Sequence, residues 1–347
     1  MRCKMVKSKL LASTIIVAAA AAVTAAPVSA AKLKLGGYYE QWVGVGAKGS
    51  GSALNTFDVK NDSEINFDFK QKLKNGMTVG GRMELEGNNQ TSTGYDESSM
   101  YVSGSFGKIQ LGNNDPAASY VGSVKGVGPV GIVKSDARRW VGGTYQVIDN
   151  DNDLGMGDAQ KITYFTPKMG SFSGAISYMP DNSDGASGDS YTSETSGNSD
   201  GVSAMGKISG KMGGSKYSLA VGYSTVDASG TDNSGWNVGV NVSAGKNTFT
   251  VFSNNEESGT TDNTDLGAAI KHKLSKTDTV SLQLGVAEKD AAGTGSDQET
   301  TVITAGYSKN LGGGVSFQGS IFNIETDNDS GTNVGDMGVV GGFKVKF

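Results

Sequence analysis

Few residues in this chain have the types and spacing that bond-making chemistry requires. His272 is the only histidine, and it stands between Lys271 and Lys273. A lone imidazole there is neither a zinc site nor the base of a nucleophilic triad. In Asp149-Asn150-Asp151-Asn152-Asp153-Leu154-Gly155 the oxygen density of Asp149, Asp151 and Asp153 suits Ca²⁺. The run lacks the glycine and the glutamate of an EF-hand loop, so a solvated acidic segment is the stronger reading and calcium the weaker. Gly312-Gly313-Gly314 is followed by no Lys-Ser/Thr and no helix, which makes it a turn and not a phosphate cradle. With no nucleophile paired to a base, the expectation is no enzyme, no cofactor and no metal. What remains is charge: Lys70, Arg82, Glu84 and Glu86 in two short segments, and Asp115, Asp136, Arg138 and Arg139 in a third. Charges held on a surface act on ions through their field.

The segments that position these charges begin after residue 30. Arg2, Lys4, Lys7 and Lys9 precede the run from Leu10 to Val23, in which only Ser13 and Thr14 are polar, and Val28-Ser29-Ala30 follows. A basic start, a short apolar stretch and a small-x-small site are the marks of a secretory signal peptide over 1–30, too short to span a membrane as a helix. Cleavage after Ala30 would remove four bases and no acid, taking the formal charge from −5 to −9. It would also remove Cys3, the only cysteine, leaving no disulfide and no thiol chemistry. The acidic balance disfavours nucleic acid as a partner.

Residues 31–347 read as strands. Leu33, Leu35, Tyr39, Val43 and Val45 alternate with Lys34, Tyr38, Glu40 and Trp42. Met77, Val79, Met83 and Leu85 oppose Thr78, Arg82, Glu84 and Glu86, and Ile65, Phe67 and Phe69 oppose Glu64, Asn66, Asp68 and Lys70. The same period of two recurs around Trp236, Leu282 and Phe317, and at the end in Phe343, Val345 and Phe347. One apolar and one polar face fits a sandwich with wet outer faces or a membrane barrel with a wet lumen.

Connection lengths separate the two. Short turns are expected near 75–76, 106–107, 167–170, 211–215, 245–246, 275–276 and 311–314. Longer connections are expected near 46–56, 88–95, 114–158, 180–200, 227–234, 254–263, 289–297 and 325–333. Fifteen connections make sixteen antiparallel strands, and the alternation of short with long is that of an outer-membrane barrel. The long connections are acidic and the short turns are flanked by lysines, which suggests that the two ends face different compartments. Tyr38, Tyr39, Tyr101, Tyr164, Tyr178, Tyr217, Tyr223, Trp236 and Tyr307 are candidates for interfacial girdles.

Lys32-Leu33-Lys34-Leu35-Gly36-Gly37-Tyr38-Tyr39, the stretch from Phe106 to Asn114 and the terminal Phe347 together resemble a Gram-negative outer-membrane porin. The resemblance implies an all-β, 16-stranded transmembrane barrel in the outer membrane, reached through the periplasm. It implies a homotrimer, a long third connection (114–158) folded into the lumen, and a terminal aromatic, Phe347, read by the barrel-assembly machinery. The pore constriction would then draw on Lys70, Arg82, Glu84, Asp115, Asp136, Arg138 and Arg139. The expected function is a passive, water-filled channel for ions and small hydrophilic solutes, selective by size and charge. A solute-specific channel and a secreted structural or adhesive β-sandwich are the alternatives.

Overall fold

Alternating segments become strands because each can turn one face to an apolar medium and the other to water. The computed structural model describes residues 31–48, 57–87, 95–121, 124–134, 136–141, 145–182, 197–293, 297–329 and 333–347. Residues 1–30, read as a signal peptide, lie outside the described residues.

Sixteen strands run in chain order. The first four are β1 (Lys32–Lys48), β2 (Phe57–Lys72), β3 (Thr78–Glu86) and β4 (Tyr95–Gly104). Next come β5 (Gly107–Asn113), β6 (Gln160–Phe165), β7 (Phe172–Asp181) and β8 (Asn198–Met212). The third quarter is β9 (Ser215–Ala228), β10 (Thr231–Ala244), β11 (Asn247–Ser258) and β12 (Thr261–Lys273). The last is β13 (Asp278–Ala291), β14 (Gln298–Gly312), β15 (Val315–Asn328) and β16 (Val334–Lys346). Each strand pairs antiparallel with its neighbours in sequence, and β1 also pairs with β16, from Tyr38↔Lys346 to Lys48↔Asp336. The ring is closed, so no sheet edge is left unpaired, which is the condition for crossing lipid with strands. Among the described residues no helix is long and apolar enough to cross a membrane.

The faces fall where the alternation puts them. Leu33, Leu35, Tyr39, Val43 and Val45 of β1 are exposed, while Trp42 between them is buried. Trp236, Leu282, Leu284, Phe317 and Ile321 are exposed, while Asn237, Ser281, Gln283 and Ser320 are buried. Exposed apolar and buried polar side chains invert the pattern of a water-soluble fold and match a barrel whose outer face meets lipid. Two girdle candidates move inward: Tyr38 donates to Asp62 on the polar face, and Tyr101 lies opposite Gln110 there.

Two connections differ from expectation. At 227–234 and 254–263 the chain turns in two residues, Ser229-Gly230 and Gly259-Thr260, because the strands continue past the apolar zone. Ser229 (φ 55°) and Gly230 (φ 91°) both take the left-handed conformation of a tight hairpin whose twist matches its strands. Glu256, Glu257 and Asp262, read as loop acids, therefore ride on strands. Polar residues extending a hairpin into water look like a loop to a hydropathy pattern, since ladder pairing does not depend on side-chain polarity.

The main apolar core lies between the long connection and the wall. Val130, Ile132, Trp140, Val141, Tyr145 and Ile148 of the connection pack with Trp42, Phe252, Val302, Phe322, Ile324 and Val340 of the strands. A smaller cluster joins Met156 and Ala159 to Met179 and Val226.

Candidate functional site

Between Asn113 and Gln160 the connection has little repeating structure: a 3-10 turn at Ala117–Tyr120 and one helical turn at Arg138–Val141. Buried backbone amides need partners, and here wall side chains provide them. Ser177 accepts from the Ala117 amide at 2.9 Å and Ser203 from that of Ala118 at 2.8 Å. Ser281 and Ser320 do the same for Val127 and Val130 at 2.9 and 3.2 Å, and Thr300 for Gln146 at 3.0 Å. Tyr145 donates its hydroxyl to Asp336 at 2.5 Å. These partners come from β7, β8 and β13 through β16. Glycines allow the closest approaches: a Cβ at Gly306 would lie 1.7 Å from the Val127 carbonyl oxygen, and one at Gly44 would lie 2.4 Å from the Trp140 ring.

The ionisable groups concentrate on β1–β4 and on the connection. Arg82 stands opposite Asp68 in the β2–β3 register and pairs with Asp68 at 2.7 Å and Glu84 at 2.9 Å. Lys60 pairs with Asp58, and Lys344 with Glu40. The carboxylate oxygens of Glu64, Glu84 and Asp96 lie within 4.8 Å of one another, as do those of Glu97, Asp115 and Asp158. Either group has the hard oxygen donors that a divalent cation takes, yet such clusters also stand without one, and we read them as sources of field. Burial pushes Asp158 up to about 6, with Asp96 and Asp115 adding repulsion. Burial also raises Asp115, with Asp153 adding to it. For Asp136 burial is again the main cause of an upward shift, opposed by the Gly131 amide and Arg139.

A cavity of about 1050 Å³ opens beside Asp136 and the Lys60 and Lys344 ion pairs. Its lining includes Glu40, Asp62 and Asp136, the bases Lys60, Arg139, Lys344 and Lys346, and the indoles of Trp42 and Trp140. The lining is mostly polar and carries charges of both signs beside the two indoles.

The residues expected from sequence fall in several places. Arg82 and Glu84 meet on β3, with Lys70 on β2 opposite Gly80, one step along the polar face from Asp68. Asp136 and Arg139 line the cavity together. Asp115 joins Glu97 and Asp158. Arg138 turns to the connection itself, donating to the Tyr145 carbonyl at 3.3 Å. Of the calcium candidates, Asp149 and Asp151 are bridged by the Lys134 ammonium at 3.4 and 2.5 Å, and Asp153 accepts from the Gly155 amide. Burial would lower Lys134, but Asp149 and Asp151 more than offset it and hold the ammonium above its ordinary range. Phe347 exchanges backbone hydrogen bonds with Gly37 and keeps its ring exposed.

Sequence reasoning missed Lys60, Asp62, Trp140, Lys161 and Lys344 as site residues. Asp62, Lys60 and Lys344 could have been found by carrying the inward alternation from Glu64 and Lys346 along their strands. Trp140 and Lys161 carry no such signal, since neither lies in an alternating run long enough to assign a face.

The sequence matches the model of the Gram-negative porin family over residues 12–329. Among solved structures, the chain is similar to the anion-selective porin from Comamonas acidovorans, with 16% identity and a TM-score of 0.63 over 92% of this chain and 100% of that one. It is similar to the outer membrane channel DcaP of Acinetobacter baumannii, with 12% identity and a TM-score of 0.65 over 93% of this chain and 100% of that one. A porin refined at 1.8 Å resolution is also similar, with 19% identity and a TM-score of 0.61 over 91% of this chain and 100% of that one. No curated protein matches the sequence.

Proposed function

The chain belongs to the Gram-negative porin family, and from that premise we propose how its barrel admits solutes. It is a passive, water-filled channel of the outer membrane for ions and small hydrophilic solutes. The observation that carries this reading is the closed ring of sixteen strands with an apolar exterior and a polar interior. A ring of this size leaves room for water, where eight strands would be filled by side chains.

Finer features extend the reading. The connection 114–158 folds into the lumen and narrows it, a placement supported by its hydrogen bonds to Ser177, Ser281, Ser320 and Asp336 on strands around the ring. Lys70, Arg82, Glu84, Asp115, Asp136 and Arg139 set the field at the narrowing. Residues 1–30 direct export and are removed. The barrel assembles as a homotrimer, and Phe347 belongs to the signal read by the assembly machinery, both supported by the family alone.

A single planar-bilayer recording tests the central reading. Stepwise, ohmic conductance increments are expected on adding purified protein. Absence of increments from protein that inserts into detergent micelles would refute a channel.

One feature favours solute selection as a second reading. The Lys108 ammonium lies 3.8 Å from the Phe165 ring centroid, and Tyr120 meets Phe165 edge-on. A lysine held over an aromatic face keeps its positive charge fixed beside apolar surface, and that pairing suits a planar anionic solute. Saturation of current by an aromatic carboxylate at millimolar concentration would distinguish this reading from simple diffusion.

A further inference from the structure

The connection leaves the β5–β6 ladder where the last register pair, Asn113↔Gln160, ends. Beyond that pair no strand hydrogen bond holds its two roots together. Lys161 lies one residue inside β6 and is buried, 4% exposed. Its ammonium donates to the carbonyl of Asn114, the first residue after β5. It also donates to the carbonyls of Gly157 at 2.6 Å and Ala159 at 2.5 Å, in the residues that lead back into β6. An ammonium has three N–H donors, and all three are used on backbone oxygens at the roots. A lysine whose role was only to cover apolar wall would carry its amine out to water. This one is kept inside, its donors satisfied by three carbonyl dipoles, with the negative charges of Asp158, Asp115 and Glu97 offsetting part of the cost of burial.

We propose that Lys161 is a positioning residue for the pore: it clasps the two roots of the connection and thereby sets where that segment sits across the channel. The proposal rests on the lumenal placement of 114–158 given above. It assigns to one side chain a task the ladder cannot perform, since the wall contacts at Ser177 through Asp336 tie the segment from Ala117 onward to the strands, whereas Lys161 ties its two roots to each other. Without the clasp both ends gain freedom while the barrel keeps every strand pair. The expected signature is a noisy channel in an intact barrel.

The test compares Lys161→Met, which keeps the stem and loses all donors, with Lys161→Gln, which keeps two donors and no charge. Single-channel recordings in planar bilayers are read beside the temperature at which the barrel loses its compact gel mobility. Substate transitions in the open channel should rise at least about ten-fold in Lys161→Met, which loses three hydrogen bonds from a charged donor, and less in Lys161→Gln. Barrel mobility should stay unchanged. Wild-type noise and conductance in both variants would overturn the clasp. Failure of both variants to form a heat-modifiable barrel would also overturn it, by making Lys161 a residue of barrel folding.

Arg139→Cys in the otherwise cysteine-free mature chain, labelled with a bulky thiol reagent, checks the lumenal placement separately. Loss of current on labelling supports that placement. Unchanged current refutes it and removes the basis of the clasp. Block by the label together with quiet Lys161 variants would refute the clasp alone.

Discussion

Arg82→Ser should increase the preference of the channel for cations over anions. Arg82 carries a half-exposed guanidinium on the polar face and neutralises part of the charge of Asp68 and Glu84. Removing it leaves those carboxylates and adds one net negative charge beside the passage. In water, one unit charge about 8 Å from a permeating ion changes that ion's energy by about 0.5 kcal/mol. A Debye length of about 10 Å at 0.1 M salt cuts this roughly in half. A cation gains that amount and an anion loses it, so the permeability ratio should rise about two-fold in favour of cations. The measurement is a reversal potential across a bilayer under a KCl gradient, wild type against variant. Near 1 M salt, where the Debye length falls to about 3 Å, the difference should almost vanish. Because exposed ion pairs contribute little to stability, the barrel should assemble as before. A reversal potential that does not move at low salt would refute the placement of Arg82 at the narrowing. A shift of equal size at both salt concentrations would refute the field as its cause.

Wild-type protein is itself expected to prefer cations modestly, since acids outnumber bases on β2–β4 and the chain's formal charge of −5 would become −9 on cleavage after Ala30; an anion preference measured in the same gradient would show that Lys70, Arg139 and their neighbours prevail. Mass spectrometry of envelope protein should give an N-terminus at Ala31, and an intact Met1 would refute export by cleavage. Unheated samples should run on a detergent gel as compact trimers and boiled samples as unfolded monomers; identical mobility at monomer mass would count against both barrel and trimer. Asp158 is ionised above about 6 and takes up a proton as pH falls through that value, so cation preference should decline there. Asp158→Asn should abolish the step, and a step that survives belongs to another group. Gly306→Ala places a methyl group against the Val127 carbonyl and should displace the connection, changing single-channel conductance without loss of heat-modifiability; wild-type conductance would show that the contact does not position the segment.

Much of the architecture is legible in the chain because strand alternation is a local property. Leu33 to Val45, Met77 to Leu85 and Val280 to Val286 each declare which face meets lipid, and a shift of one residue would turn every apolar side chain into the water-filled interior. Gly245 and Gly313 likewise mark turns through their own left-handed backbone. The extents of the hairpins at Ser229-Gly230 and Gly259-Thr260 were not legible, because hydrogen bonding between strands continues into water where polarity no longer alternates. The connection was legible as a length and a set of charges, and nothing more. Its partners lie far away in sequence: Ser177 is 60 residues from Ala117, Ser320 is 190 from Val130 and Asp336 is 191 from Tyr145. Serines on a polar face look alike in sequence, and only closure of the ring selects which of them meet a passing amide. Folding of the connection on itself makes Lys134 the bridge between two of the calcium candidates, and the β5–β6 pairing brings Lys161 onto both roots of one segment. Local periodicity determined that this chain is a wall between lipid and water; contacts distant in sequence, which no periodicity encodes, decided which strands the long connection packs against.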